Sequence, residues 1–273
     1  MKIKPVRILI FLIMLALSIT FLFPLWFIII NSLKTKPEYS MSSFAIPNEL
    51  FLSNYDWIIR NYNFLSYFIN TLFIVSISTI LIIFFAVCAS YAFAKLEFRG
   101  KNILFFCVLA TIFLPGQVSI IPAYVMFSKF GLINSPWAVI LSYIAGGTPA
   151  AVLLMRGTFM GISNEMIESV KIDGAGYFSI IKNVIFPLGI SAIVIVTIFN
   201  FINYWNDLLT PMIYLSNIQK QTVMVGLTRL MERSNSQPTR QYAGMMLSAL
   251  PSIIIYVFLQ KFMIKGLTLG SIK

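Results

Sequence analysis

The stretch 164-NEMIESVKIDGAGYFSIIKNVIFP-187 is a polar interruption between two long apolar segments, and the rest of the chain is read outward from it. It holds three of the nine acidic residues, Glu165, Glu168 and Asp173. Ser163 or Asn164 stands where a helix wants its N-cap, and the glutamates fall in early turns, where negative charge suits the helix dipole. Asp173-Gly174 closes the run, because glycine readily takes the left-handed conformation that ends helices. The pattern predicts a short helix, a tight turn, a second short helix from near Tyr177, and a return into the membrane at Val184 to Pro187. Such a unit is too polar for lipid and too short for a domain; it suits docking against something soluble.

Apolar residues make up 59% of the 273, charged residues only 11%, and the mean hydropathy is +0.87. Soluble domains carry about 25% charged residues, so this is an integral membrane protein, with spans of about 20 residues setting its architecture. The net charge of +11 invites a nucleic-acid reading. No basic run is long or interleaved with aromatics in a soluble segment, so the charge belongs to membrane edges and no nucleic-acid partner is expected. Cys88 and Cys107 sit in apolar runs as small hydrophobes, with neither a disulfide nor a metal role. Histidine is absent, which removes the commonest general base and metal ligand near neutral pH.

Six spans are predicted, making the fold all-α. Residues 8–30 follow Lys2, Lys4 and Arg7, and the apolar run continues past the small-x-small triplet Ala16-Leu17-Ser18, so it is an uncleaved first helix, not a signal peptide. After a mixed loop with one short helix at 55–62 come spans at 71–94, at 103–121 (broken at Pro115-Gly116) and at 137–155. The last contains Gly146-Gly147-Thr148-Pro149 as a second broken or closely packed point. Spans at 188–205 and 243–263 complete the set. Residues 122–135 read as an interfacial helix and turn, and 206–242 as a long polar loop without apolar periodicity. Twelve of the twenty Lys and Arg residues fall on the side that holds both termini, which puts those termini and the docking stretch in the cytoplasm. Trp26, Trp57, Trp137 and Trp205 then form an outer aromatic belt. The expected organisation is 1–66 as first span and extracytoplasmic segment, 67–263 as a core of five transmembrane helices with the docking stretch, and 264–273 as cytoplasmic tail.

No span holds a charged residue in its interior, which disfavours a proton- or sodium-driven secondary carrier, since driving ions usually need intramembrane ionisable groups or broken-helix sites. A P-loop is also missing, so energy for uphill transport must come from a separate protein. With no histidine, no paired intramembrane carboxylates and no nucleophile beside a base, an enzyme is the weakest reading; no catalytic, cofactor or metal site is expected.

With Glu168, Gly174, Val184 and Phe186-Pro187 at these spacings, the opening stretch resembles the coupling loop of ABC importer permeases, whose pattern is Glu-Ala-Ala, three residues, Gly, nine residues, Ile, one residue, Leu-Pro. Ser169 and Val170 stand for the alanines, Val184 for Ile and Phe186 for Leu. The resemblance extends to the maltose-type, carbohydrate-uptake branch through Pro24-Leu25-Trp26, Asn31-Ser32-Leu33-Lys34, Asn70-Thr71, Tyr91-Ala92-Phe93-Ala94, Pro115-Gly116-Gln117, Trp205-Asn206-Asp207 and Lys265-Gly266-Leu267-Thr268. It implies a type I importer permease in a bacterial cell membrane, in contact with membrane lipid. It also implies a second homologous permease subunit, two cytoplasmic ATPase subunits, an extracytoplasmic solute-binding protein and a small-molecule substrate. Coupling would fall on Glu165, Glu168, Ser169, Asp173, Gly174, Ala175 and Pro187. Polar or aromatic side chains suited to a substrate path are Gln117, Tyr143, Thr148, Asn200, Asn203 and Tyr204. They suit hydroxyl-rich sugars, and amino acids or glycerol phosphate esters nearly as well.

Overall fold

A computed structural model describes residues 5–172, 174–234 and 237–269, and among these only helices and turns occur. In chain order the helices are α1 (Pro5–Ser32), α2 (Lys36–Met41), α3 (Ser53–Asn61), α4 (Phe64–Lys95), α5 (Lys101–Ala110), α6 (Gly116–Lys129), α7 (Pro136–Met160) and α8 (Asn164–Ile172). There follow α9 (Tyr177–Ile180), α10 (Phe186–Leu188), α11 (Ile190–Trp205), α12 (Leu209–Tyr214), α13 (Val223–Arg233) and α14 (Pro238–Leu269). Of these, α1, α4, α7 and α14 are each long and apolar enough to cross a membrane. Two bent pairs, α5 with α6 at 100° and α9–α10 with α11 at 79°, bring the spans to six when each pair counts as one.

The third span is broken at Pro115-Gly116, where the expected 103–121 had its break, and the bend there is sharp. Leu114 and Pro115 are extended, because proline pushes its predecessor out of the helical region and cannot donate its nitrogen. A new helix starts at Gly116 and absorbs the segment expected to be interfacial. By contrast, α7 runs unbroken through Gly146 to Pro149. Its buried stripe Val139, Tyr143, Gly147, Ala151, Met155 and Phe159 repeats every four residues, the spacing of one helix face.

Two compact units are present, residues 1–65 with 226–250, and 66–225 with 251–273. In the first, α1 is exposed from Val6 to Pro24 and apolar all round, as a lipid- or partner-facing span should be. Beyond its end Lys34 is fully buried, its Nζ donating to Asn31 Oδ1 (3.0 Å), Ser42 O (3.0 Å) and Ser43 O (3.2 Å). Burial holds that ammonium's pKa below the ordinary lysine value, partly offset by Glu38. Asn54 of α3 donates to Ser32 O (3.0 Å) and Lys34 O (2.9 Å), fixing the chain that leaves the span.

The second unit holds the larger core, built on α4, α7 and α11. Trp205, expected in an interfacial belt, is buried there, stacked on Phe201 with ring centres 5.4 Å apart and edge-on to Phe68. The expected loop at 206–242 is also different: it contains α12, α13 and the first turn of α14, and Gln221, one of its polar residues, is buried. Within α13, Val223, Leu227 and Leu230 are spaced to one helix face, a period masked in sequence by the surrounding Asn, Gln and Arg.

Candidate coupling surface and substrate path

In the docking stretch Ser163 is the cap: its Oγ accepts from Glu165 N at 3.2 Å. At the other end of α8, Gly174 has φ 79° and donates to Lys171 O (3.0 Å), while Ala175 N donates to Val170 O (3.2 Å). This pair of bonds is the Schellman motif, which satisfies carbonyls that would otherwise be left over at the helix end. No heavy atom lies within 4 Å of where a Gly174 Cβ would stand, so glycine is needed there for backbone conformation, not for space.

One face of this unit is sunk into the core through Ile167, Ile180, Val184 and Ile185. Lys95, the last residue of α4, ties the start of α8 by donating to Ile162 O and to Asn164 Oδ1 (2.8 Å). The opposite face presents Glu165, Glu168, Ser169, Gly174 and Pro187, with Ala175 half-buried; Asp173 lies outside the described residues. Three large apolar side chains stand beside them: Ile172 at 86% exposure, Tyr177 at 64% and Phe178 at 73%. Sequence reasoning missed these three and the Lys95 tether. Ile172 was detectable, since it falls off the face marked by Ile167 and Val170. A π turn at Ile181–Ile185 then leads through Pro187 to Gly189, where a Cβ would strike the Phe159 ring and Ile185 O; the chain bends there to lay α11 against α7.

Of the six expected path residues, Tyr143, Asn200 and Tyr204 converge around Gly147. A Cβ on Gly147 would come within 2.5–2.7 Å of Tyr204 Oη, Asn200 Oδ1 and Ile82, so side chains of α11 and α4 rest on the α7 backbone there. The Tyr143 and Tyr204 rings stack at 4.0 Å, Tyr204 Oη donates to Tyr143 O (2.9 Å), and Tyr143 Oη donates to Asp207 Oδ2 (3.0 Å). The other carboxylate oxygen of Asp207 caps α12 by accepting from Leu209 N (3.0 Å). Asn200 bonds its own helix at Val196 O, and Thr148, next to Gly147, bonds Ile144 O. Asn203 is exposed on α11, while Gln117 stands apart, exposed in the first turn of α6. Asp207, unassigned from sequence beyond its motif, is the anchor of this layer.

Residues 55–268 match the family model described as "Binding-protein-dependent transport system inner membrane component". The chain is 30% identical to the arabinooligosaccharides transport system permease protein AraQ of Bacillus subtilis, over 94% of this chain and 92% of that protein. It is 27% identical to the probable starch degradation products transport system permease protein AmyC of Thermoanaerobacterium thermosulfurigenes, over 94% and 93%. Among solved structures it resembles a chain of a bacterial ABC transporter that imports alginate, with TM-score 0.65 and 15% identity over 94% and 95% of the two chains. A chain of the bacterial alginate ABC transporter in complex with alginate pentasaccharide-bound periplasmic protein gives TM-score 0.67 and 14% identity, over 93% of each. The chain belongs to the inner-membrane components of binding-protein-dependent transport systems, and its fold is that of the type I ABC importer permeases.

Proposed function

We propose that this chain is one of two homologous permease subunits of an ATP-driven oligosaccharide importer, with both termini in the cytoplasm and no bond chemistry of its own. Two cytoplasmic ATPase subunits dock on Glu165, Glu168, Ser169, Gly174 and the apolar side chains beside them. An extracytoplasmic binding protein delivers substrate to the opposite side, where residues 206–242 face it. Residues 67–263 form the permease core, preceded by a first span with its extracytoplasmic segment (1–66) and followed by a cytoplasmic tail (264–273). Asn200, Asn203, Thr148 and Gln117 line the substrate path, and the Tyr143–Tyr204 layer shapes it.

The observation that carries this reading is α8 itself, a capped helix ending in a glycine-specific turn, with its motif glutamate outward and no P-loop anywhere in the chain. The sugar assignment is supported by the substrates that the relatives' names carry. ATP hydrolysis by the purified complex, measured with its binding protein and a panel of solutes, tests it. Stimulation by oligosaccharides is expected; stimulation by amino acids or glycerol phosphate esters alone would replace the substrate class. Cysteines placed at Ser169 and at Met41, with Cys88 and Cys107 replaced, should label from opposite sides of the membrane.

A further inference from the structure

Residues 215–223 are laced to two distant elements of the second unit. Asn70 of α4 donates from Nδ2 to Gln219 O (2.7 Å) and Gln221 O (3.1 Å), and the next residue, Thr71, accepts from Val223 N (2.8 Å). At the turn before α7, Asn134 sits in the left-handed region at φ 62°. Its N–H donates to Tyr214 O (2.8 Å), its Oδ1 accepts from Asn217 N (2.9 Å), and its carbonyl accepts from Lys220 Nζ (2.9 Å). Each asparagine does what few side chains can. A carboxamide offers two N–H groups to two carbonyls, and asparagine tolerates φ > 0 while still presenting an acceptor. Between these anchors Gln221 and Thr222 are buried.

We infer that Asn70 and Asn134 are positioning residues that turn this segment into a stiff strap fastened to α4 and to the α6–α7 turn. The strap runs directly into α13, which starts at Val223. A load applied to the outer segment is thereby delivered to the core helices, not absorbed by a slack loop. This rests on the reading that residues 206–242 face the binding protein.

The test measures ATP hydrolysis against binding-protein concentration in the assembled complex in nanodiscs, alongside hydrogen exchange of residues 215–223. Asn70→Asp keeps the size but presents acceptors to two carbonyls; Asn134→Gly keeps the turn and removes the acceptor; Asn134→Asp keeps both. The first two should lower maximal stimulation at least about fivefold, the lower edge of ordinary coupling energies. Basal rate, assembly and half-maximal binding-protein concentration should stay unchanged, exchange across the strap should quicken, and Asn134→Asp should behave as wild type. Unchanged stimulation, a shift in half-maximal concentration alone, or loss of basal rate together with assembly would each overturn the strap. A wild-type complex that no binding protein stimulates would instead remove the proposed function, while the exchange contrast between Asn134→Gly and Asn134→Asp would still report on the strap.

Discussion

The second unit carries two polar interruptions, 162–189 and 206–223, similar in composition and opposite in construction. In the first, the bonds that shape the chain are mostly local, a cap and a Schellman turn, with Lys95 the tether from afar. Glu165, Glu168, Tyr177 and Phe178 are turned outward. In the second, Lys220 and Gln221 donate to backbone groups within the fold, distant Asn134 accepts from Asn217 N, and Tyr214 and Leu215 are buried. Polar composition alone does not separate a surface kept free for a partner from a segment stapled to its own core. What separates them is whether the backbone of the segment is held by side chains distant in sequence, as Asn70, Thr71 and Asn134 hold the second, or by bonds within the stretch itself.

Aromatic residues break the contrast most sharply. Tyr214 is buried, edge-on to Phe127 and donating to Ile120 O (3.1 Å), so Tyr214→Ala should cost ~3–5 kcal/mol in thermal or denaturant unfolding of the purified protein. Next comes Gly174→Val, for which left-handed strain alone gives ~1–2 kcal/mol, because nothing crowds the new side chain. Its assembled complex should show weakened ATPase coupling with membrane insertion intact. Ser163→Ala removes one cap and should cost about 1 kcal/mol, with Ser163→Thr restoring most of it. The smallest stability effect is expected for Phe178→Ala, within about 0.5 kcal/mol. That variant should nonetheless reduce ATPase docking, measured as the fraction of ATPase that co-purifies. If Phe178→Ala unfolds the protein as Tyr214→Ala does, the two interruptions are built alike and the comparison fails.

The sequence made the stretch 162–189 legible because its information is local. Ser163, Gly174 and the spacing to Pro187 each report on a backbone conformation within a few residues. The unbroken apolar runs gave the spans for the same reason, with ends displaced by several residues: the span expected at 71–94 occupies Phe64–Lys95. Breaks were harder. Pro115-Gly116 and Gly146 to Pro149 look equally disruptive in sequence. The first bends the chain by 100°, whereas the second stays helical because Gly147 is there to admit Tyr204 and Asn200. That distinction depends on the facing helix. The segment 206–223 was misread for a related reason: Asn70, Thr71 and Asn134, which decide its structure, lie far from it in sequence.

The sharp turn between α5 and α6 also bears on the fate of the chain when it is made without its partners. Leu114 and Pro115 are extended at the break, and among the first amides of α6 that of Val118 donates back to Pro115 O (3.0 Å). Hydrocarbon cannot satisfy backbone left out of a helix, so inside a bilayer such a turn persists only against protein or water. Phe113, Leu114 and Gln117 around the break are exposed. An orphan copy would thus show membrane quality-control proteases an exposed, apolar elbow, and its cellular lifetime should lengthen once partner subunits are co-expressed.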